Sequence, residues 1–250
     1  MVKIVISGAL GKMGKKVAEA VNNSAQANIV CGVDVVRSDA FPYPVYDGFS
    51  SITEDVDVII DFSSPANLDN VLSFAKAKKC GAVLCTTGYS ETDLKKINET
   101  AKTVPLFRSA NMSLGVNLLI DLVKKAAAAL PDFDVEIVEM HQNEKVDAPS
   151  GTAIMLADGI KEVAPEKYNV YGRNGKTGKR DKNEIGMHSL RGGTVVGEHE
   201  VVFAGKNENV VLSHSATDRS VFAEGAVKAA VYLSGKKNGL FDMSDIINGR

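Results

Sequence analysis

Through the first half of the chain, short apolar runs alternate with segments whose apolar residues recur every three to four positions. Residues 3–6 read as a strand, a helix follows with Met13, Val17 and Val21 on one face, and residues 28–33 read as a second strand. A third buried run, 56–62, meets Ser63-Ser64-Pro65. There a serine can cap, and proline can take the first turn of, a helix holding Leu68, Val71, Leu72 and Ala75. The rhythm repeats as strand 82–86, helix 90–101 and strand 104–108. Strands this apolar, separated by helices, predict a parallel sheet covered on both faces, a doubly wound α/β architecture.

Beyond Asn111 the pattern changes. A helix rich in Leu, Val and Ala spans 114–130 and leads into 134–141, after which 184–190, 195–204 and 209–216 alternate like strands without helices between them. This predicts a second α+β domain containing a mixed or antiparallel sheet. The final helix, 221–233, is expected to return to the first domain, giving boundaries of 1–112 plus 217–250 for one domain and 113–216 for the other. Residues 172–183, GRNGKTGKRDKN, are too polar and glycine-rich to fill a core and read as a mobile loop or a solvated linker.

Composition narrows the function classes. The 250 residues are 44% apolar, enough for a full core, and the net charge of −2 provides no global field for nucleic acid or an anionic membrane. No run reaches transmembrane length and no signal-peptide pattern opens the chain. Cys31, Cys80 and Cys85 lie in apolar segments and suit reduced packing residues, which together predicts a cytoplasmic protein. His141, His188, His199 and His214 are scattered without metal-ligand spacing, so no metal is expected.

Directly after the first strand comes Gly8-Ala9-Leu10-Gly11-Lys12-Met13-Gly14, opening the first helix. A glycine turn there lets backbone amides and the helix dipole hold a pyrophosphate, as in Rossmann-like dinucleotide domains, although the spacing is GxxGxxG and not GxGxxG. Asp34, ending the second strand, is placed to accept hydrogen bonds from the adenosine ribose, which favours NADH. Lys12 and Arg37 leave NADPH open, since either cation can approach an additional phosphate. Two more strand ends, Cys85-Thr86-Thr87 and Ser109-Ala110-Asn111-Met112, fall where ligands bind in open sheets, or else are capped turns.

The densest polar stretch is EMHQNEKVDAPSGTA, residues 139–153. His141 and Lys145 can serve a reaction that develops negative charge, and the helix opened by Ser150-Gly151-Thr152 can grip a carboxylate with its amides. A structural histidine and a plain helix cap are the alternatives.

These pieces together resemble the dihydrodipicolinate reductase family along nearly the whole chain. GALGKMG is similar to the family's GxxGxMG, and ExHQxxKxDAPSGT to its signature, while EIGMHSLRGG, VVGEHEVVF and FAEGAVKAA resemble its second-domain sheet and closing helix. The resemblance implies NAD(P)H-dependent reduction of 4-hydroxy-tetrahydrodipicolinate to tetrahydrodipicolinate with loss of water, in lysine and diaminopimelate biosynthesis. It implies His141 as acid/base, Lys145 as proton donor, and Gly151 and Thr152 on a carboxylate of a small cyclic dicarboxylate. Cofactor contacts would fall on Gly8 to Met13, Asp34, Cys85 to Thr87 and Ser109 to Met112. A homotetramer joined through second-domain sheets is implied as well. Two positions depart from the family pattern. Gln142 replaces a second histidine and can donate to substrate but cannot shuttle a proton at pH 7. Cys85 stands where glycine is frequent, so only its backbone is expected to touch cofactor. Rival readings are another nicotinamide-dependent reductase of a small keto or imino acid and a silent NAD(H) sensor; the intact His141 and Lys145 argue against the latter.

Overall fold

The computed structural model describes all residues, 1–250. They form two compact units, residues 1–114 with 220–250 and residues 115–219.

The first unit is built on a parallel seven-stranded sheet. Its strands are β1 (Val2–Ser7), β2 (Ala27–Val33), β3 (Val45–Tyr46), β4 (Val58–Asp61), β5 (Gly81–Leu84), β6 (Pro105–Arg108) and β12 (Gly239–Phe241), in the order β12-β6-β5-β4-β1-β2-β3. Helices α1 (Lys12–Asn22) and α6 (Ser220–Leu233) pack on one face around Ile4, Ile6, Val17 and Ala226. Helices α2 (Leu68–Lys78) and α3 (Glu91–Ala101) cover the other around Val5, Ile59, Leu72 and Ile97. With both faces covered, β4 and β5 are buried at every residue. That is why they read as continuous apolar runs and not as alternation.

The second unit packs α4 (Leu114–Ala129) and α5 (Gly151–Val163) against one face of a five-stranded mixed sheet. Its strands are β7 (Asp134–His141), β8 (Tyr168–Tyr171), β9 (Glu184–Arg191), β10 (Gly197–Ala204) and β11 (Asn209–Ala216), ordered β11-β10-β7-β9-β8. β7 pairs parallel with β9 and antiparallel with β10. Val135, Ile137, Val201 and Phe203 point into the core, whereas Leu190 and Val211 stay exposed. No helix covers the second face, which residues 172–183 cover in part through Arg173 and Arg180. No helix is long and apolar enough to cross a membrane.

Four short elements lie outside the patterns read from sequence: β3, β8, β12 and a last helix, α7 (Met243–Ile247). Residues 65–67 also start as a 3₁₀ turn before α2. The segment 172–183 has no strand or helix, yet it is no freely solvated linker. Arg173 holds Glu136 through both its terminal nitrogens at 2.9 and 3.0 Å. Arg180 binds Glu136 at 3.0 Å, Asp134 at 2.8 Å and the Val135 carbonyl at 2.9 Å. Two guanidinium groups therefore fasten the segment to the face of β7, because such planar donors match carboxylates well.

Helix α6 reaches the sheet by way of Gly225, where an added Cβ would collide with the backbone carbonyl of Met112. Neither backbone can yield without moving its element. Gly225→Ala is expected to destabilise the protein by about 3 kcal/mol, as overpacking of a rigid contact does. Denaturant unfolding checks it, with the midpoint falling and the slope unchanged.

Candidate active site

At the end of β1 the chain turns sharply at Gly8, whose φ is +81°. A Cβ there would lie 2.7 Å from the Phe62 carbonyl oxygen. At Gly14 a Cβ would collide with the Gly8 carbonyl, so α1 packs directly under the turn only because that position is glycine. The amides of Gly8 and Ala9 donate to the Val33 carbonyl at 2.9 and 3.2 Å. The Leu10 amide donates to Asp34 Oδ2 at 2.8 Å, and the Val35 amide to Asp34 Oδ1 at 2.8 Å. Asp34 is thereby fixed at the lip of the turn. Helix α1 starts after Gly11 with no side-chain cap, so the amides at Lys12 and Met13 suit an anion. Lys12 itself is exposed.

From Gly8 and Asp34 a cavity of about 690 Å³ extends past Phe49, Ser63, Asn67 and Phe74. A second, of about 340 Å³, lies between Phe62, Ser63 and Pro65 on one side and Cys85, Thr86 and Thr87 on the other. Both follow the carboxyl ends of parallel strands, where an open sheet binds ligands. The residues present fit a dinucleotide: glycines without room for a side chain, an uncapped helix start, and the Asp34 carboxylate on the wall of the same cavity as Gly8. Thr87 is exposed. Cys85 is buried in the core, and burial drives its thiol well above the usual range, so its side chain is a packing group. Ser109 donates to the Asn111 carbonyl at 2.8 Å, and the Ser113 amide to Asn111 Oδ1 at 2.8 Å, making a self-bonded turn beyond β6. Ala110 is exposed there, while the Met112 side chain packs inward.

The residue missed at this edge is Asp61. It ends β4 fully buried and accepts hydrogen bonds from Ser63 Oγ at 2.6 Å and Thr86 Oγ1 at 2.7 Å. It thus ties together the two loops that line the smaller cavity. Its sequence signal was a lone carboxylate closing an otherwise apolar strand.

In the second unit the chemistry gathers at the ends of β7, β9 and β10. His141 Nδ1 lies 2.6 Å from Glu139 Oε2. Glu139 is 1% exposed and is gripped by Arg191 through Nη1 and Nη2, each at 2.8 Å. Its other oxygen accepts the Ser150 amide at 3.2 Å. Arg191 also donates to the Asp147 carbonyl at 2.7 Å, which ties down the loop carrying Lys145. Lys145 Nζ pairs with Asp147 Oδ1 at 2.8 Å. The Gln142 amide donates to the Val195 carbonyl at 2.7 Å and the Lys145 amide to the Gln142 carbonyl at 3.2 Å. Ser150 caps α5 by accepting the Ala153 amide at 3.1 Å. Gly151 and Thr152, the first two residues of α5, therefore stand at a fixed helix start. His141, Lys145, Gly151 and Thr152 are brought together around one carboxylate that sequence reading did not single out.

Burial alone would raise the Glu139 carboxyl, but hydrogen bonds from Arg191, Ser189 and His141 overcome it and hold it at about 2. An ionised Glu139 makes His141 Nδ1 the donor of their bond, which leaves Nε2 as the nitrogen able to exchange a proton. The Asp147 carboxyl is lowered by its bond from Lys145. His199, also at this cluster, is held down to about 4 by burial and by the neighbouring His141.

Since the folded carboxyl of Glu139 titrates below the unfolded one, its stabilisation is complete above pH 4.5 and disappears as pH falls towards 2. Glu139→Gln is expected to cost about 3 kcal/mol at neutral pH. Urea unfolding measured across acid pH should show the native and variant curves converging near the lower limit.

Comparison with known proteins fits both halves. The family description "Dihydrodipicolinate reductase, N-terminus" matches residues 2–112, and "Dihydrodipicolinate reductase, C-terminus" matches residues 115–247. The 4-hydroxy-tetrahydrodipicolinate reductase of Caldanaerobacter subterraneus subsp. tengcongensis is 51% identical over 250 residues, covering 99% of this chain and 98% of the relative. That of Clostridium novyi is 48% identical over 253 residues, with both chains covered completely at 100%. The solved dipicolinate-bound dihydrodipicolinate reductase from Paenisporosarcina sp. TG-14 superposes with a TM-score of 0.84 at 26% identity, covering 98% of this chain and 99% of that one. With both family patterns matched and such identity over its whole length, the chain belongs to the dihydrodipicolinate reductase family.

Proposed function

We propose that the chain reduces 4-hydroxy-tetrahydrodipicolinate to tetrahydrodipicolinate with loss of water, in lysine and diaminopimelate biosynthesis, using NADH in preference to NADPH. Membership of the family makes it an NAD(P)H-dependent oxidoreductase. The observation that carries the finer reading is the Arg191–Glu139–His141 relay beside Lys145 and the start of α5. Dipicolinate bound to the solved relative supports a planar cyclic dicarboxylate as ligand class.

The reaction consumes one ligand held by each unit. Loss of the 4-hydroxyl with a neighbouring ring proton as water leaves a conjugated imine, whose carbon 4 accepts the hydride that reduced nicotinamide supplies when bound. Negative charge then spreads into the conjugated nitrogen and must be met by a proton. His141, once it carries a proton on both ring nitrogens, keeps Nδ1 on Glu139 and offers the other proton from Nε2, and Lys145 adds a second donor and a cation. Gly151 and Thr152 present amides to one carboxylate, the geometry that helix starts favour for anions. Gln142 contributes at most an amide donor to the same ligand.

Asp34 supports NADH, because its fixed carboxylate repels a phosphate on the adenosine ribose. Arg37 is committed elsewhere, at 3.3 Å from Asp47 and 3.3 Å from Ser51, with its guanidinium 6.0 Å from the Tyr46 ring centre. The proposal includes a cytoplasmic homotetramer joined through the helix-free face of the mixed sheet. The exposed Leu190 and Val211 support that face, and three buried free cysteines suit a reducing compartment.

Purified protein mixed with freshly made 4-hydroxy-tetrahydrodipicolinate is expected to oxidise NADH, followed by absorbance, and absence of turnover with either nicotinamide would end the reading. Lys145→Ala should lower kcat by about 10²-fold or more while leaving the Kd for NADH near native. Asp34→Ala is expected to move the ratio of NADPH to NADH binding roughly tenfold towards NADPH, measured by calorimetric titration of both nucleotides.

A further inference from the structure

His199 takes no part in the proton chemistry just described, yet it is 5% exposed and sits in the same cluster. Antiparallel pairing sets it opposite Glu139 of β7 and opposite His214 of β11. Its Nε2 lies 2.8 Å from Ser150 Oγ, its ring stands edge-to-face with His141 at 5.2 Å, and its Nδ1 is buried without a partner. We propose that His199 is a positioning residue for the carboxylate end of the substrate: as a neutral acceptor it fixes the Ser150 hydroxyl and, through that cap, the first turn of α5.

The argument is one of proton counting. A serine hydroxyl has one proton to give and two lone pairs with which to accept. Ser150 Oγ already accepts the Ala153 amide at 3.1 Å. If it donates its proton to Nε2, one group of the pair remains unmatched, the N–H at Nδ1. In the other tautomer Nε2 donates, which strands both the serine proton and the bare Nδ1. Each buried polar group left unmatched carries its full desolvation cost, so the arrangement with one such group prevails over the one with two. It requires an uncharged ring, and burial next to His141 keeps His199 so at neutral pH.

The consequence lies at the helix start. With its proton committed to His199, the serine oxygen faces the third residue of α5 and takes that amide, not those of Gly151 or Thr152. The Ser150 amide is held by Glu139 at 3.2 Å, so the capping residue is fixed from both its backbone and its side chain. Without His199 the hydroxyl is free to rotate, the cap loosens, and the amides assigned to the carboxylate lose their aim. A preformed donor pair is worth more than a mobile one because ordering it does not have to accompany binding.

This inference rests on the cyclic-dicarboxylate reading of the function, and its test separates the two. Dipicolinate, which NADH cannot reduce under assay conditions, is titrated calorimetrically into protein saturated with NADH, and NADH is titrated alone. His199→Phe fills the ring's volume without a nitrogen, whereas His199→Gln restores a polar group near the place of Nε2. Dipicolinate Kd should rise about tenfold in H199F and stay within about threefold of native in H199Q, with NADH Kd unchanged in both. Ser150→Ala, which removes the cap as well as the bond to His199, should weaken dipicolinate at least as much as H199F, and the S150A/H199F double variant no further than S150A, because the bond His199 makes is already gone. Should H199F not fold, S150A and S150A/H199Q give the same comparison, with equal Kd expected. Native-like binding by H199F, H199Q as weak as H199F, or additive losses in the double variant would each overturn the proposal. Failure of the native protein to bind dipicolinate would instead overturn the functional reading on which it rests.

Discussion

The second unit is organised around the Glu139 carboxylate. It is buried, and it accepts hydrogen bonds from His141 Nδ1, both terminal nitrogens of Arg191, the Ser150 amide and the Ser189 side chain. An ionised carboxylate taken out of water costs several kcal/mol unless its lone pairs are filled, so the surrounding chain has little freedom to rearrange. Three otherwise separate parts of the sequence, the end of β7, the end of β9 and the start of α5, are bound to this one group. The His141 imidazole, the helix start and the loop bearing Lys145 thereby share a single frame.

Strand register is what makes the frame possible. Parallel pairing of β7 with β9 sets His141 beside Arg191, and antiparallel pairing with β10 sets Glu139 beside His199. A slip of one residue would turn Glu139 to the opposite face and bring Val138 or Met140 into its place. That opposite face has its own clamped carboxylate. Glu136 accepts Arg173, Arg180 and His188, and although burial acts to raise it, those bonds hold it at about 2. β7 therefore carries a charged hub on each side. One orders the chemistry, and the other fastens residues 172–183 to the sheet.

What was legible in the sequence follows from the range of the interactions. The apolar runs of β1, β4 and β5, the period of α1 and α6, and the glycine turn are local patterns, and each appears where it was expected. The polar run 139–153 was visible for the same reason. Its organising contacts were not, because Arg191 meets Glu139 across 52 residues and His199 meets Ser150 across 49. Strands such as β3 and β12, of two and three residues, are too short to show a period and exist only through pairing with a formed sheet. The basic, glycine-rich segment 172–183 was read as solvated because composition cannot reveal that Arg173 and Arg180 find carboxylates on β7.

The edge of the parallel sheet solves a different problem with the same residue type. Asp34 and Asp61 end β2 and β4, the two neighbours of β1. Asp61 is filled by two hydroxyls and acts inward, holding loops. Asp34 is filled by two backbone amides and remains partly exposed, facing the larger cavity. Neither carboxylate has a cation among these hydrogen-bond partners. Positive potential at this edge comes from the uncapped amides at the start of α1 and their dipole, which decays within a turn. That helix start can lie so near the strand ends only because the turn at Gly8 rests on the Phe62 carbonyl and α1 rests on the Gly8 carbonyl at Gly14, contacts that leave no room for a side chain at either glycine.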